Sequence, residues 1–326
     1  MNSKMNSTKR RQVVKAAVAL AAMSVLPLSS LSAFAQGNAK PKVALVMKSL
    51  ANEFFLTMEN GAKDYQSHNT GMFDLIANGI KDETDTAAQI RIVEQMIVSK
   101  VDALIIAPAD SKALVPVVKK AADAGIIVVN IDNRLDQDVL KSKDLNVPFV
   151  GPDNKKGARK VGDYLAKRLQ KGDEVAIVEG VTTTTNSQMR SAGFKEAMDA
   201  AGMKIVALQS GEWEIDKGNA VASQILNANP NVKALLCDND NMAIGAVSAV
   251  RAAGKIQVVG FDNISAIKPI LNDGRVLATA DQYAAKQAVF GIDVALKALK
   301  EHKKQADLST VVETPVDLVT KAGVVK

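Results

Sequence analysis

The sequence predicts an α/β protein made of two similar, doubly wound parallel-sheet lobes. Three observations point there. Short runs that are apolar throughout alternate with stretches whose apolar residues recur every three or four positions, the patterns of doubly covered strands and amphipathic helices. The alternation lapses near Gly172 and then starts again. The two halves also repeat each other. Val43-Ala44-Leu45-Val46 returns as Val175-Ala176-Ile177-Val178, and Gly61-Ala62-Lys63 as Gly193-Phe194-Lys195, both 132 positions on. Val101-Asp102-Ala103-Leu104 returns after 131 positions as Val232-Lys233-Ala234-Leu235. Val128-Val129 with Asp132 returns after 130 as Val258-Val259 with Asp262. Each match alone is weak, but four in order at nearly constant spacing are not.

Taken in order, the apolar runs 43–47, 73–77, 103–107 and 126–131 are expected strands of the first lobe. Helical periodicity fills 54–67, 86–99 and 112–124 between them. The second set has strands at 174–178, 204–208, 234–237 and 257–261. Its helices fall near 154–169, 187–201, 216–227 and 241–253, with a last one at 284–300. At 326 residues and 47% hydrophobic composition the chain has ample core for two domains.

The N-terminus reads as an export signal. Residues 1–35 hold Lys4, Lys9, Arg10, Arg11 and Lys15 and no acid, then an apolar stretch over 13–28, then Ala33-Phe34-Ala35. A basic head, a short apolar middle and a small-x-small end mark a cleavable secretory signal, here ending near Ala35-Gln36 and implying a periplasmic protein. Residues 9–15 also resemble a twin-arginine signal. Without these five cations the formal charge falls from +6 to +1, too little to attract nucleic acid. The single cysteine, Cys237, excludes a disulfide framework, and its apolar run predicts a buried, inert thiol.

The functional chemistry is expected at the strand ends, because ligands of open parallel sheets bind outside the carboxyl ends of the strands. Asp132 and Asp262 occupy equivalent positions just past a strand in each half, so facing lobes bring both carboxylates into one cleft. The neighbouring loops offer Lys48, Asn52, Phe54 and Phe55; Arg190 with four threonines before it; Trp213; Asn239; and Gln282. Planar carboxylates, amides and a guanidinium exchange paired hydrogen bonds with hydroxyls, and aromatic faces suit the C–H side of a sugar ring. Plain structural alternatives stand beside this reading. The aspartates could fix turns, the phenylalanines could pack a helix start, Trp213 could plug a loop, and Arg190 could be a solvated helix residue. No dinucleotide fingerprint, P-loop or nucleophile elbow occurs, and the run 238–241 lacks the glycine and distal glutamate of a calcium loop. The expectation is therefore no cofactor, no metal and no enzyme.

The same residues resemble the periplasmic sugar-binding proteins of the ribose/galactose type, the substrate-binding subunits of ABC importers, and most of all their allose-binding branch. The resemblance rests on 46–55, Val129-Asn130-Ile131-Asp132, Met189-Arg190-Ser191-Ala192-Gly193-Phe194, 239–245 and Val259-Gly260-Phe261-Asp262, and covers the whole chain after residue 35. Glu53 departs from it, standing where proline is usual. It implies the type I periplasmic binding protein fold, with lobes of residues 36–152 plus 283–317 and 153–282 plus 318–326 joined by a hinge that the chain crosses three times. It implies ligand contacts at Lys48, Asn52, Phe54, Phe55, Asp132, Asn133, Arg190, Trp213, Asn239, Asp262 and Gln282. Position 133 is arginine in ribose binders and glutamate in the allose branch, so Asn133 leaves the particular sugar or polyol open. The implied partners are a monosaccharide or polyol, an ABC membrane permease and, for some members, a chemoreceptor, around a monomeric protein. The alternative is a sensor that presents a sugar or furanosyl signal to a receptor and not to a permease.

Overall fold

The computed structural model describes residues 40–251 and 255–325, and in it the apolar runs become the middles of two sheets. In the first, β1 (Lys42–Ser49) lies parallel between β2 (Asp74–Ile80) and β3 (Ala103–Ile106). β4 (Ile127–Ile131), β5 (Phe149–Pro152) and the late strand β11 (Val311–Thr314) continue it, giving the order β11-β5-β4-β3-β1-β2. In the second, β6 (Glu174–Glu179) lies parallel between β7 (Lys204–Ser210) and β8 (Val232–Cys237), followed by β9 (Gln257–Val259) and β10 (Ala278–Asp281). β12 (Asp317–Thr320) and β13 (Gly323–Val325) add an antiparallel edge. The orders β2-β1-β3-β4-β5 and β7-β6-β8-β9-β10 are the same, so the sequence repeat is a repeat of architecture. Sheet membership changes three times, between β5 and β6, between β10 and β11, and between β11 and β12.

Helices cover both faces of each sheet, as the continuous apolar strands require. Successive strand residues point to opposite faces. Val43, Leu45 and Met47 pack with α1 (Glu53–His68) and the late helix α10 (Ala284–Lys300). Ala44 and Val46 pack with α2 (Thr86–Val98) and α3 (Val115–Asp123), and a short α4 (Gln137–Ser142) follows β4. In the second lobe Val175 and Ile177 meet α5 (Asn154–Ala166) and α6 (Thr185–Ala200). Ala176 and Val178 meet α7 (Ile215–Ala228) and α8 (Asp240–Val250), and α9 (Lys268–Asn272) is a short turn before β10.

The doubly wound two-lobe architecture expected from the sequence is the one observed. The expected strands and helices are present with ends shifted by a few residues. β9 stops at Val259, and the helix expected to reach 253 is α8, ending at Val250, with 252–254 outside the described residues. The strands β5 and β10 to β13 were not anticipated. The export signal lies outside the described residues. Cys237, the last residue of β8, is buried and free, and burial beside Asp238 and Asp240 pushes its thiol well above the usual range.

Candidate ligand-binding site

The site is assembled from strand ends. Past β1, Asn52 caps α1: its Oδ1 accepts from Phe54 N at 3.1 Å, which fixes the first turn. That turn sets the Phe54 and Phe55 rings edge to face, centroids 5.1 Å apart. Past β4 and β9, Asp132 and Asp262 adopt φ of 61° and 118°. Trp213, after β7, sits at φ 70°. Positive φ is costly for residues with a Cβ, and three instances around one cavity mark a place where presentation of side chains outweighs backbone comfort.

These residues line a narrow pocket between the lobes. The first lobe brings Lys48, Asn52, Phe54, Phe55 and Asp132 to it; the second brings Arg190, Trp213, Asn239 and Asp262. Gln282, where the chain leaves β10, completes the set. Asn133 is the exception. It is wholly buried, its Nδ2 donates to Pro108 O at 2.9 Å and its Oδ1 accepts from Asn186 N at 3.2 Å, so its amide is spent away from the cavity. Asn133 is thus not among the residues that line the pocket, and its short side chain is held by its own neighbours.

Glu83 and Asn186 line the cavity without having been singled out as ligand contacts. Glu83 lies in the polar turn after β2, itself a strand end, so the strand-end rule that found Asp132 reaches it too. Glu83 Oε1 accepts from Asn52 Nδ2 at 2.9 Å, and Oε2 lies 3.2 Å from Lys48 Nζ. Lys48 Nζ also stands 5.4 Å from the Phe55 ring and 5.1 Å from that of Trp213. The buried Arg190 is no solvated helix residue. Nε donates to Asn154 Oδ1 at 2.8 Å, and Nη1 to Asp238 O at 2.9 Å and Asp262 Oδ1 at 3.3 Å. Its guanidinium lies 3.9 Å from the Phe261 ring centroid.

Burial dominates the electrostatics. It raises the carboxyls of Glu83 and Asp132 above the ordinary range, against the pull of Lys48 on both and of Arg190 on Asp132. Asp262 is pushed up to about 7 by burial, against Arg190 and the Gln282 amide, whose Nε2 donates to Oδ1 at 2.6 Å. Behind the wall, burial brings Asp238 to about 7 as well, although Gly180 N and the Ser187 and Ser191 hydroxyls donate to it. Two cations, Lys48 and Arg190, and three carboxyl groups, Glu83, Asp132 and Asp262, therefore face the space. Two buried polar atoms of the lining have no hydrogen-bond partner within the protein, Asp132 Oδ2 and Trp213 Nε1. One accepts and one donates, and a hydroxyl group can serve either.

The sequence profile of the periplasmic binding protein domain matches residues 43–304. A D-ribose/D-allose-binding protein of Pseudomonas aeruginosa is 68% identical, over 97% of this chain and 99% of its own length. Among solved structures, an ABC transporter solute-binding protein from Burkholderia multivorans aligns with TM-score 0.85 and 81% identity, over 86% of this chain and 100% of that one. It carries an unknown ligand represented as α-D-erythrofuranose. A periplasmic solute-binding protein of an ABC transporter from Actinobacillus succinogenes, with bound D-allose, aligns with TM-score 0.80 and 36% identity, over 87% of this chain and 98% of that one.

Proposed function

This chain belongs to the periplasmic binding protein domain family, and from that premise we propose that it captures a neutral monosaccharide or small polyol between its lobes and delivers it to an ABC import permease. The carrying observation is the pair of buried atoms without a protein partner, Asp132 Oδ2 and Trp213 Nε1, on a pocket with Phe54, Phe55 and Trp213 in its wall. An unmade buried hydrogen bond costs about 1–3 kcal/mol, so a polyhydroxylated guest recovers what the empty site forgoes. The names of the relatives support the same class, and place D-ribose and D-allose first among candidates.

In this reading the lobes are residues 36–152 plus 283–317 and 153–282 plus 318–326, and the segments between them act as a hinge. Lys48, Asn52, Asp132 and Glu83 hold the ligand from one side, Arg190, Asn239 and Asp262 from the other, and the aromatic rings cover its apolar faces. Contacts from both sides exist together only in the closed form, so ligand favours closure by its differential affinity, and the permease reads the closed shape. Capture takes place in the periplasm, by a monomer, without nucleic acid.

The test is a melting-temperature series with D-ribose, D-allose, D-erythrose, a panel of polyols and gluconate, with hits confirmed by calorimetry. A ligand at 100 times its Kd adds about 2.7 kcal/mol, a plain rise in Tm. The expected outcome is a rise with at least one neutral sugar or polyol and none with gluconate. Response to gluconate alone, or to no neutral compound, overturns the reading.

A further inference from the structure

Helix α6 starts without a cap of its own. Thr184 holds the N-cap position in extended conformation, but its hydroxyl donates to Val181 O at 2.6 Å and caps nothing. The amides of the first turn are met from the other lobe. Thr185 N donates to Ser111 Oγ at 2.9 Å, and Asn186 N to Asn133 Oδ1 at 3.2 Å. Ser111 and Asn133 are linked in turn, Asn133 Nδ2 donating to Ser111 Oγ at 3.2 Å, and Ser111 N donates to Thr183 O at 3.3 Å. A second bridge has the same form. Glu53, at the first position of α1, extends its carboxylate to the second lobe, where Oε1 accepts from Ser265 N at 2.9 Å and Oε2 from Ala266 N at 3.0 Å. The residue before them, Ile264, has no side-chain acceptor to offer. Ser111, Asn133 and Glu53 are not among the residues lining the cavity.

We propose that Ser111, Asn133 and Glu53 are positioning residues that set ligand affinity without touching the ligand, by supplying across the cleft the acceptors that four second-lobe amides lack. The inference rests on reading the cleft as a ligand site that opens and closes. In an open form these amides turn to water; on closing they exchange it for oxygens already held in place. Asn133 is anchored through Pro108 O, and Ser111 through Asn133, so little freedom is lost when the bonds form. The bridges weight the closed form by the same amount for every ligand. Apparent affinity scales with the population of the competent form, so removing them weakens binding of all ligands alike and leaves the order of preference intact.

The test compares wild-type protein with Ser111→Ala, Glu53→Ala, Glu53→Gln and the Ser111→Ala/Glu53→Ala double variant, measuring D-ribose and D-allose binding by calorimetry and stopped flow. Loss of one cap-type bond is expected to raise Kd about threefold to thirtyfold, mainly through faster release. Glu53→Gln, which keeps the length and one acceptor, loses less than Glu53→Ala. The ratio of the two sugars' affinities stays fixed, which a disturbance of the cavity itself would not preserve. A double variant whose Kd stays within twofold of wild type, or whose sugar ratio changes, overturns the proposal. If wild type binds neither sugar, that failure belongs to the ligand reading, and the bridges are then scored by X-ray scattering of ligand-free protein. A larger radius of gyration in the double variant supports them, and an unchanged one overturns them.

Discussion

Asp262 keeps its backbone at φ 118° while Arg190 and Gln282 donate to its carboxylate at the pocket wall. Its carboxyl is pushed up to about 7 from an ordinary value of 3.8, so between those limits the folded protein holds a proton that the unfolded chain has released. Stability therefore falls as pH rises from about 4 to about 7 and levels off above. Asp262→Asn is expected to flatten that decline, by up to about 1.4 kcal/mol per pH unit, in urea melts across the range. An unchanged slope would mean that Asp262 ionises like an exposed aspartate. The position of Asp262 was legible because it recurs: the block that places it after β9 also places Asp132 after β4. The surroundings of Asn133 were not legible, because Pro108, Ser111 and Asn186 are partners that local pattern does not bring together. Glu83 was passed over because a polar turn after a strand is common, and only the approach of Lys48 distinguishes it.

At the scale of elements, β6 is followed by Gly180, whose absent side chain admits the indole of Trp213. A Cβ built at Gly180 would lie 2.1 Å from Trp213 Cζ2. Gly180→Ala is expected to push the ring toward the cavity, cost about 1–3 kcal/mol of stability through overpacking, and weaken binding. Trp213 is the only tryptophan in the chain, so its fluorescence reports the displacement directly. Emission and affinity both like wild type would show that the ring is not seated on that glycine. The elements read correctly from sequence are those whose apolar residues run unbroken, such as β1, β3, β4, β6 and β8. Those passed over are short strands such as Phe149–Pro152 and Ala278–Asp281, where glycine, proline or aspartate interrupts the run. Their strand character comes from neighbours far along the chain: Val311 pairs with Phe149, and Ala278 with Thr320.

At the scale of the molecule, the doubly wound architecture was the most legible feature, since each half restates the other. What joins the halves was less so, being a matter of a few side chains. The Tyr283 hydroxyl donates to Asp317 at 2.6 Å, tying the segment after β10 to the start of β12, and this bond holds the phenol up to about 12. Tyr283→Phe is expected to lower stability by about 0.5–1.5 kcal/mol, seen as a lower urea midpoint at unchanged slope. A midpoint equal to wild type would show that the bond adds nothing to stability. The buried thiol at the end of β8 bears on how such motion can be watched. Because Cys237 is the only cysteine and is enclosed, a cysteine introduced at an exposed position gives one chemically addressable point. On the proposed reading of the cleft, a dye attached there reports opening and closing with no competing label, so the native chain is already a blank from which an optical sensor for a bound sugar can be built.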